Sequence, residues 1–301
     1  MRRVELVYAT MKLPLLSVGL LFVAATANAQ IQVDLKFKRL QYIAYEPVMA
    51  TVEITNLAGR DVDLSDANGQ SWFGFEITGK EGQPVVPLAG ENSQPPMQIE
   101  AGRKISQRIN LTSLYPVHDL GAYHVRAHIY FADLGKFFYS PTKVFEVTEA
   151  RPIWQKTVGI PDGANEPGTS RTYSLLSNRF ADHTSLYVRV EDKESGVVYA
   201  TYSLGRSIAF DDPQAEIDQA NQLHVLHCSG PRSWAYSRVG LSGELLAHSS
   251  FMESKTRPRL FHGGDGSVAV RGGILDQPAA EAARNDVPKL SDRPTEIPKD
   301  N

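Results

Sequence analysis

The stretch that most constrains this chain is Leu120–Phe131. A Leu120-Gly121-Ala122-Tyr123 turn leads into residues that alternate strictly. Tyr123, Val125, Ala127, Ile129 and Phe131 are apolar or aromatic, and His124, Arg126, His128 and Tyr130 lie between them. A period of two is that of a strand with one face buried. A helix would scatter the same five side chains around its circumference. A strand with one apolar face needs another layer to cover it, so the rest of the chain is read for that cover.

Short alternating runs precede and follow it. Val33, Leu35 and Phe37 form one, and Val48, Ala50, Val52 and Ile54 a second, between Tyr45-Glu46-Pro47 and the turn former Asn56. Phe73, Phe75 and Ile77 form a third, joined through Gly79–Gly82 to a predicted strand at Pro84–Leu88. Ile105, Ile109 and Leu111, then Phe137 with Tyr139, and Phe145 with Val147, complete the set. About seven strands with turn residues between them predict a two-sheet antiparallel sandwich over residues 30–150. Glu46-Pro47-Val48, Ala101-Gly102 and Leu120-Gly121-x-Tyr123 together resemble immunoglobulin-like and fibronectin-type modules. The resemblance implies a tyrosine corner, with Tyr123 in the core and its hydroxyl bonded to backbone upstream. The Cys…Trp…Cys signature of antibody domains is absent, and fold alone selects no function.

Residues 151–171 carry Pro161-Asp162-Gly163 and Pro167-Gly168-Thr169-Ser170 and read as a connection between domains. Strands are predicted again at Tyr173–Phe180, Ser185–Val190, Val197–Leu204, Gln222–Cys228, Trp234–Val239, Leu245–Phe251 and Ser267–Arg271. Two internal echoes occur. Leu186–Val190 with Val198–Ser203 matches Leu223–His227 with Trp234–Arg238, an offset of about 37 residues. Ala215–Asp218 with Asn221–Val225 matches Arg259–Phe261 with Asp265–Val270, an offset near 44. Repeats of about 40 residues with such short strands resemble β-propeller blades. Residues 172–275 hold two blades and a fragment, fewer than a closed ring needs. The fold class is therefore all-β: a sandwich, a second antiparallel β domain, and a Pro-rich tail over 276–301 predicted to be disordered.

The first 29 residues predict export. Met11-Lys12, an apolar run from Leu13 to Thr26 and Ala27-Asn28-Ala29 form a secretory leader with cleavage after Ala29. Arg2-Arg3 precedes Met11, which is read as the true start. The run is too short and too broken by Pro14 and Gly19 to span a bilayer, and no membrane anchor is expected. Periplasmic or secreted localisation follows. Cleavage takes Arg2, Arg3 and Lys12 from 31 basic residues and Glu5 from 34 acidic ones, leaving 28 and 33, a formal charge of −5. That balance disfavours phosphate backbones, so no nucleic-acid partner is expected. The single Cys, Cys228, sits in the apolar run Leu223–Cys228 and reads as a buried small hydrophobe.

No catalytic, cofactor-binding or metal-ligating residue emerges. His124 and His128 share a strand face about 13 Å apart, too far to share a zinc. His224 and His227 fall on opposite faces of their strand. Asp211–Asp218 lacks the ladder of a calcium loop, and Gly263–Gly266 precedes a strand rather than a phosphate-cradling helix. The expected function is a non-enzymatic binding or adhesion protein recognising a protein or glycan partner, with loops of the C-terminal β region as its contact. Two alternatives stay open. One is a secreted carbohydrate-active hydrolase or lyase using acids among Asp192, Glu194, Asp211, Asp212, Glu216 and Asp218. The other is a proteinase inhibitor presenting Ala89–Met97.

Overall fold

The computed structural model describes residues 30–88, 94–161 and 168–276, and the described chain is all-β. The expected leader and all of the expected tail except Asp276 lie outside the described residues. In the first half the strands are β1 (Ile31–Phe37), β2 (Gln41–Ile43), β3 (Met49–Asn56), β4 (Val62–Leu64), β5 (Phe73–Thr78), β6 (Met97–Ile99), β7 (Lys104–Asn110), β8 (Gly121–Phe131), β9 (Lys136–Tyr139) and β10 (Lys143–Thr148). They form one sheet ordered β1-β3-β7 and a second ordered β2-β10-β8-β5, with β9 also paired to β8 and β4–β6 as a small separate ladder. Only the β2–β10 pair is parallel among these first-half ladders.

The alternation of Leu120–Phe131 is realised as read. Tyr123, Val125, Ala127, Ile129 and Phe131 are all buried in a core shared with Val33, Leu35, Val52, Ile54, Trp72 and Phe145. The Tyr123 hydroxyl donates to the Asp119 carbonyl at 3.0 Å, four residues upstream. Gly121 has φ +139°, a region that L side chains avoid, so this corner needs its glycine. Asn56 is buried, and its amide donates to the carbonyls of Arg60 and Ile99 at 2.7 and 2.8 Å. Its side-chain oxygen accepts from Ala58 N at 2.9 Å. Pro84–Leu88, predicted as a strand, holds only a single bridge between Thr78 and Pro84. Pro84 and Pro87 each remove a donor that a ladder needs.

The second half contains β11 (Arg151–Gly159), β12 (Ser170–Arg179), β13 (Thr184–Asp192) and β14 (Val198–Ser207), an antiparallel meander. Then come β15 (Gln214–Ile217), β16 (Leu223–Gly230), β17 (Ser233–Val239), β18 (Leu245–Met252), β19 (Arg259–His262), β20 (Val268–Arg271) and β21 (Ile274–Asp276). The order β15-β16-β17-β18-β21 makes a second sheet, and β19–β20 a separate hairpin. The stretch read as a connection therefore begins with a nine-residue strand. β11 is an edge strand, exposed along most of its length, with Pro152 next to a bulge. Edge strands tolerate proline and need no apolar alternation, which is why it was missed.

These layers stack. Tyr173, Leu175, Leu186, Val188 and Val190 of the meander meet Leu223, Val225 and Val239 of the next sheet. That sheet's other face, with Leu226, Cys228 and Trp234, meets Leu260 and Val270 of the hairpin. The meander's other face, with Leu176 and Tyr187, meets Ile43 and Ala150 of the first half. The 44-residue echo matches two equivalent hairpins, β15–β16 and β19–β20. Each turns on an aspartate: Asp218 accepts from Ala220 N and Gln222 N, and Asp265 from Ser267 N. The 37-residue echo aligns β13–β14 with β16–β17, strands in different positions of their sheets, so it marks no structural repeat.

His227 shares its strand face with Leu223 and Val225, between the two sheets, and is 0% exposed. Burial pushes its pKa down to about 4 from 6.5. The unfolded chain takes up this proton near 6.5 and the folded chain only near 4. Stability is thus full above 6.5 and falls as pH drops towards 4, by roughly 3 kcal/mol. Denaturant titrations of the parent and His227→Leu between pH 7 and 4 should show the parent losing about that much more stability. Equal losses would overturn the assignment.

Candidate functional site

Strand register assembles one continuous outer face on the β2-β10-β8-β5 sheet. The outward row of β8 is His124, Arg126, His128 and Tyr130. On β5 their neighbours are Thr78 beside His124, Glu76 beside Arg126 and Gly74 beside His128. On β9, Tyr139 stands opposite His128 and Phe137 opposite Tyr130. On β10, Val144 stands opposite His124. Four rings meet here. His128 lies 5.4 Å from Phe137 and 5.9 Å from Tyr139, and Phe137 lies 4.9 Å from Tyr130. Phe137 and Tyr139 are 36% and 41% exposed. The Arg126 guanidinium sits 4.3 Å from the centre of the Tyr139 ring, with its Nε 2.7 Å from Glu76. Asn68 donates to the Tyr130 hydroxyl at 3.2 Å.

Gly74 makes this face possible. A Cβ there would come within 2.6 Å of His128 Nε2, so the missing side chain lets the imidazole lie across β5. Burial lowers the His128 pKa below 6.5, and Arg126 adds to the effect while Glu76 opposes it. At neutral pH the ring is therefore uncharged and acts as an aromatic surface. His124 and Arg126 are exposed as expected, whereas His128 is not a freely solvated side chain. A cleft of about 640 Å³ continues from His128 along β5, past Asp66, Ser71, Gln94 and Tyr115.

At its other end the face meets the second half. The β12–β13 turn closes a cleft of about 710 Å³ lined by Leu40, Gln41, Val144, Glu146, Phe180 and His183. His183 stacks on Phe180 with centroids 5.0 Å apart and an interplanar angle of 26°. Its Nδ1 is 2.7 Å from Asp182 Oδ1. Leu40 is 72% exposed. Behind this cleft the halves are tied by polar contacts. Arg39 donates to the Tyr187 hydroxyl at 2.9 Å and pairs with the buried Glu46 carboxylate, which also accepts from Ile43 N. Burial raises the Glu46 pKa against the pull of Arg39. Arg189 donates to the Ala44 carbonyl at 2.7 Å and lies 5.2 Å from the Tyr45 ring. Tyr45 itself has φ +67° and stacks on His118.

Four of the six acids singled out in the second half have separate partners. Asp192 pairs with Arg171, Asp211 with Arg257, and Asp218 with His224, while Glu216 faces His262 at 4.0 Å. His224 bonds Asp218 through Nε2 and Tyr236 through Nδ1, so both ring nitrogens are engaged. Among the described residues, no three His, Cys, Asp or Glu side chains gather as a metal site. No helix among them is long and apolar enough to cross a membrane. Most of the proposed inhibitory loop, residues 89–93, lies outside the described residues. Sequence reading missed the aromatic face. Its one signal was Lys136-Phe137-Phe138-Tyr139, where the outward positions of a short strand are aromatic as well as the inward one.

The chain matches no family model and no curated protein. Among solved structures, the sporulation control protein Spo0M of Bacillus subtilis aligns over 58% of this chain and 90% of its own. The identity is 10% and the TM-score 0.28, a likeness too weak to bear on fold or function.

In Gly74→Ala the new methyl should displace the His128 ring from β5. NMR titration of the imidazole should then give a pKa raised towards 6.5 relative to the parent. An unchanged value would show that the ring's burial does not depend on Gly74.

Proposed function

We propose that this chain is an exported, non-enzymatic recognition protein whose binding surface is the outer face built around Phe137 and Tyr139. One observation carries the reading: two half-exposed aromatic rings rest on two more, in a face whose other side chains are mostly polar. Single exposed apolar residues are ordinary, but a contiguous aromatic patch marks a contact surface. Tyrosine supplies amphipathic contact area at low entropic cost.

The surrounding architecture fits that role. The first half is read as an immunoglobulin-like module, supported by its two sheets and the Tyr123–Asp119 corner. The second half is read as a short stack of blade-like meanders, supported by its layered packing. It serves as a wall to the binding face and as a spacer. The leader over residues 1–29 directs the chain to the periplasm or beyond, and its partner is a protein or glycan of that compartment.

The test uses the mature chain, residues 30–301, in sedimentation with cell envelopes of the source organism. The parent should sediment with envelopes, the double variant Phe137→Ser/Tyr139→Ser should stay in solution, and Lys156→Ser on β11 should behave as the parent. Equal sedimentation of the double variant and the parent would sink the reading.

A further inference from the structure

We infer that this outer face takes an uncharged, hydroxyl-rich glycan chain, running from the Phe137 and Tyr139 rings to the cleft at Phe180 and His183. The inference rests on the recognition reading above and names its ligand class.

Charge is the first argument. Each arginine on the track is already paired with a carboxylate, and Glu146 adds an acid whose partner is a neutral amide. Arg126 pairs with Glu76, Glu146 accepts from Gln41 at 3.3 Å, Asp182 bonds His183, and Arg39 pairs with Glu46. Lys136 and Lys143 stand opposite Phe131 and Val125, which are inward positions, so neither lies on the floor. A polyanion would need cations without partners to replace its released counterions. A single-stranded nucleic acid would stack on such rings but requires the same cationic track. The surface is thus complementary to a neutral polymer.

The spacing of groups is the second argument. Rows of side chains follow one another every ~6.5–7 Å along β8, about 20 Å for four rows. Rings occupy the first two rows, Tyr130 with Phe137 and His128 with Tyr139. The Arg126–Glu76 pair occupies the third, and His124 with Thr78 and Val144 the fourth. Sugar rings offer flat C–H faces for aromatic stacking and equatorial hydroxyls for hydrogen bonds. A carboxylate–guanidinium pair can accept and donate to such hydroxyls at once. The hydrophobic core of a protein interface, by contrast, is contiguous rather than interrupted by charged rows. At the far end the stacked Phe180 and His183 offer a second aromatic surface, in a cleft whose volume falls in the range of ligand sites.

The experiment is native affinity electrophoresis of the mature chain through gels containing hydroxyethyl cellulose, laminarin or galactomannan, with alginate and polygalacturonate as acidic counterparts. At least one neutral polymer should retard the parent, equally at ~50 and ~500 mM salt, because no net charge is neutralised. Tyr139→Ala should weaken retention roughly tenfold and Phe180→Ala less, while Tyr139→Trp should keep it. Melting curves confirm that the variants are folded, which matters most for Phe180, half-buried against Leu176 and Tyr187. Retention by the acidic polymers alone, abolished by salt, overturns the inference. So does neutral-polymer retention that Tyr139→Ala leaves unchanged. If no neutral polymer retards the chain while envelope sedimentation still depends on Phe137 and Tyr139, the glycan assignment falls and the recognition reading stands. If sedimentation is also independent of both rings, the two fall together.

Discussion

The structure depends on β12 and β13, the central strands of the β11-β12-β13-β14 sheet, being buried on both faces. These strands alternate two kinds of cover. Tyr173, Leu175, Leu186, Val188 and Val190 meet the next sheet in an apolar interface. Ser174, Leu176, Tyr187 and Arg189 face the first half, where a small apolar cluster with Ile43 and Ala150 is joined by polar groups. The first interface is held by burial of apolar area, which is strong and undirected. The second is held by directed bonds, among them Arg39 to Tyr187 and Arg189 to Ala44. Buried polar bonds of this kind are costly unless geometry satisfies them, so they fix orientation more than they add stability. The angle between the two halves, and with it the shape of the cleft at Phe180, follows from these few contacts.

That difference explains what could be read in advance. The Leu120–Phe131 strand was legible because one face is wholly core and the other wholly outside. β16 was legible as a strand, but its burial pattern shows no alternation, since sheets cover both its faces. β2, β4 and β6 have three residues each, too short for any period to show. β11 escaped because an edge strand carries no apolar alternation. The Asp-turn echo near 44 residues survived because a side chain that bonds its own backbone dictates local geometry. The other echo matched strand character alone, which any two hairpins share.

The candidate site was illegible for a different reason. His128, Gly74, Tyr139 and Val144 come from four strands, and only register sets them side by side. Gly74 and His128 are 54 positions apart in the chain. Nothing local distinguishes Gly74 from any strand glycine, and its importance appears only when a ring lies over it. The acids of the second half show the opposite relation between sequence and space. They cluster along the chain, but Asp192, Asp211, Glu216 and Asp218 serve separate turns and ion pairs. Asp218 is the clearest case. One oxygen organises the β15–β16 turn and the other holds His224.

Among the described residues the last layer of the stack is a hairpin. Gln219 N donates to the Gly266 carbonyl, so the aspartate turns of two successive layers touch directly. Beyond them the β19–β20 hairpin has only two strands. Its inward residues Leu260 and Val270 reach the core, while Arg259, Phe261 and Arg271 face out. Arg271 lies 3.1 Å from the centre of the Phe261 ring, a cation laid over a partly exposed apolar group. Arrays of stacked layers need a polar terminal unit to stop further association. A ring needs the reverse, an apolar face ready to receive the next blade. The outer face of the hairpin has the polar character of such a terminal unit.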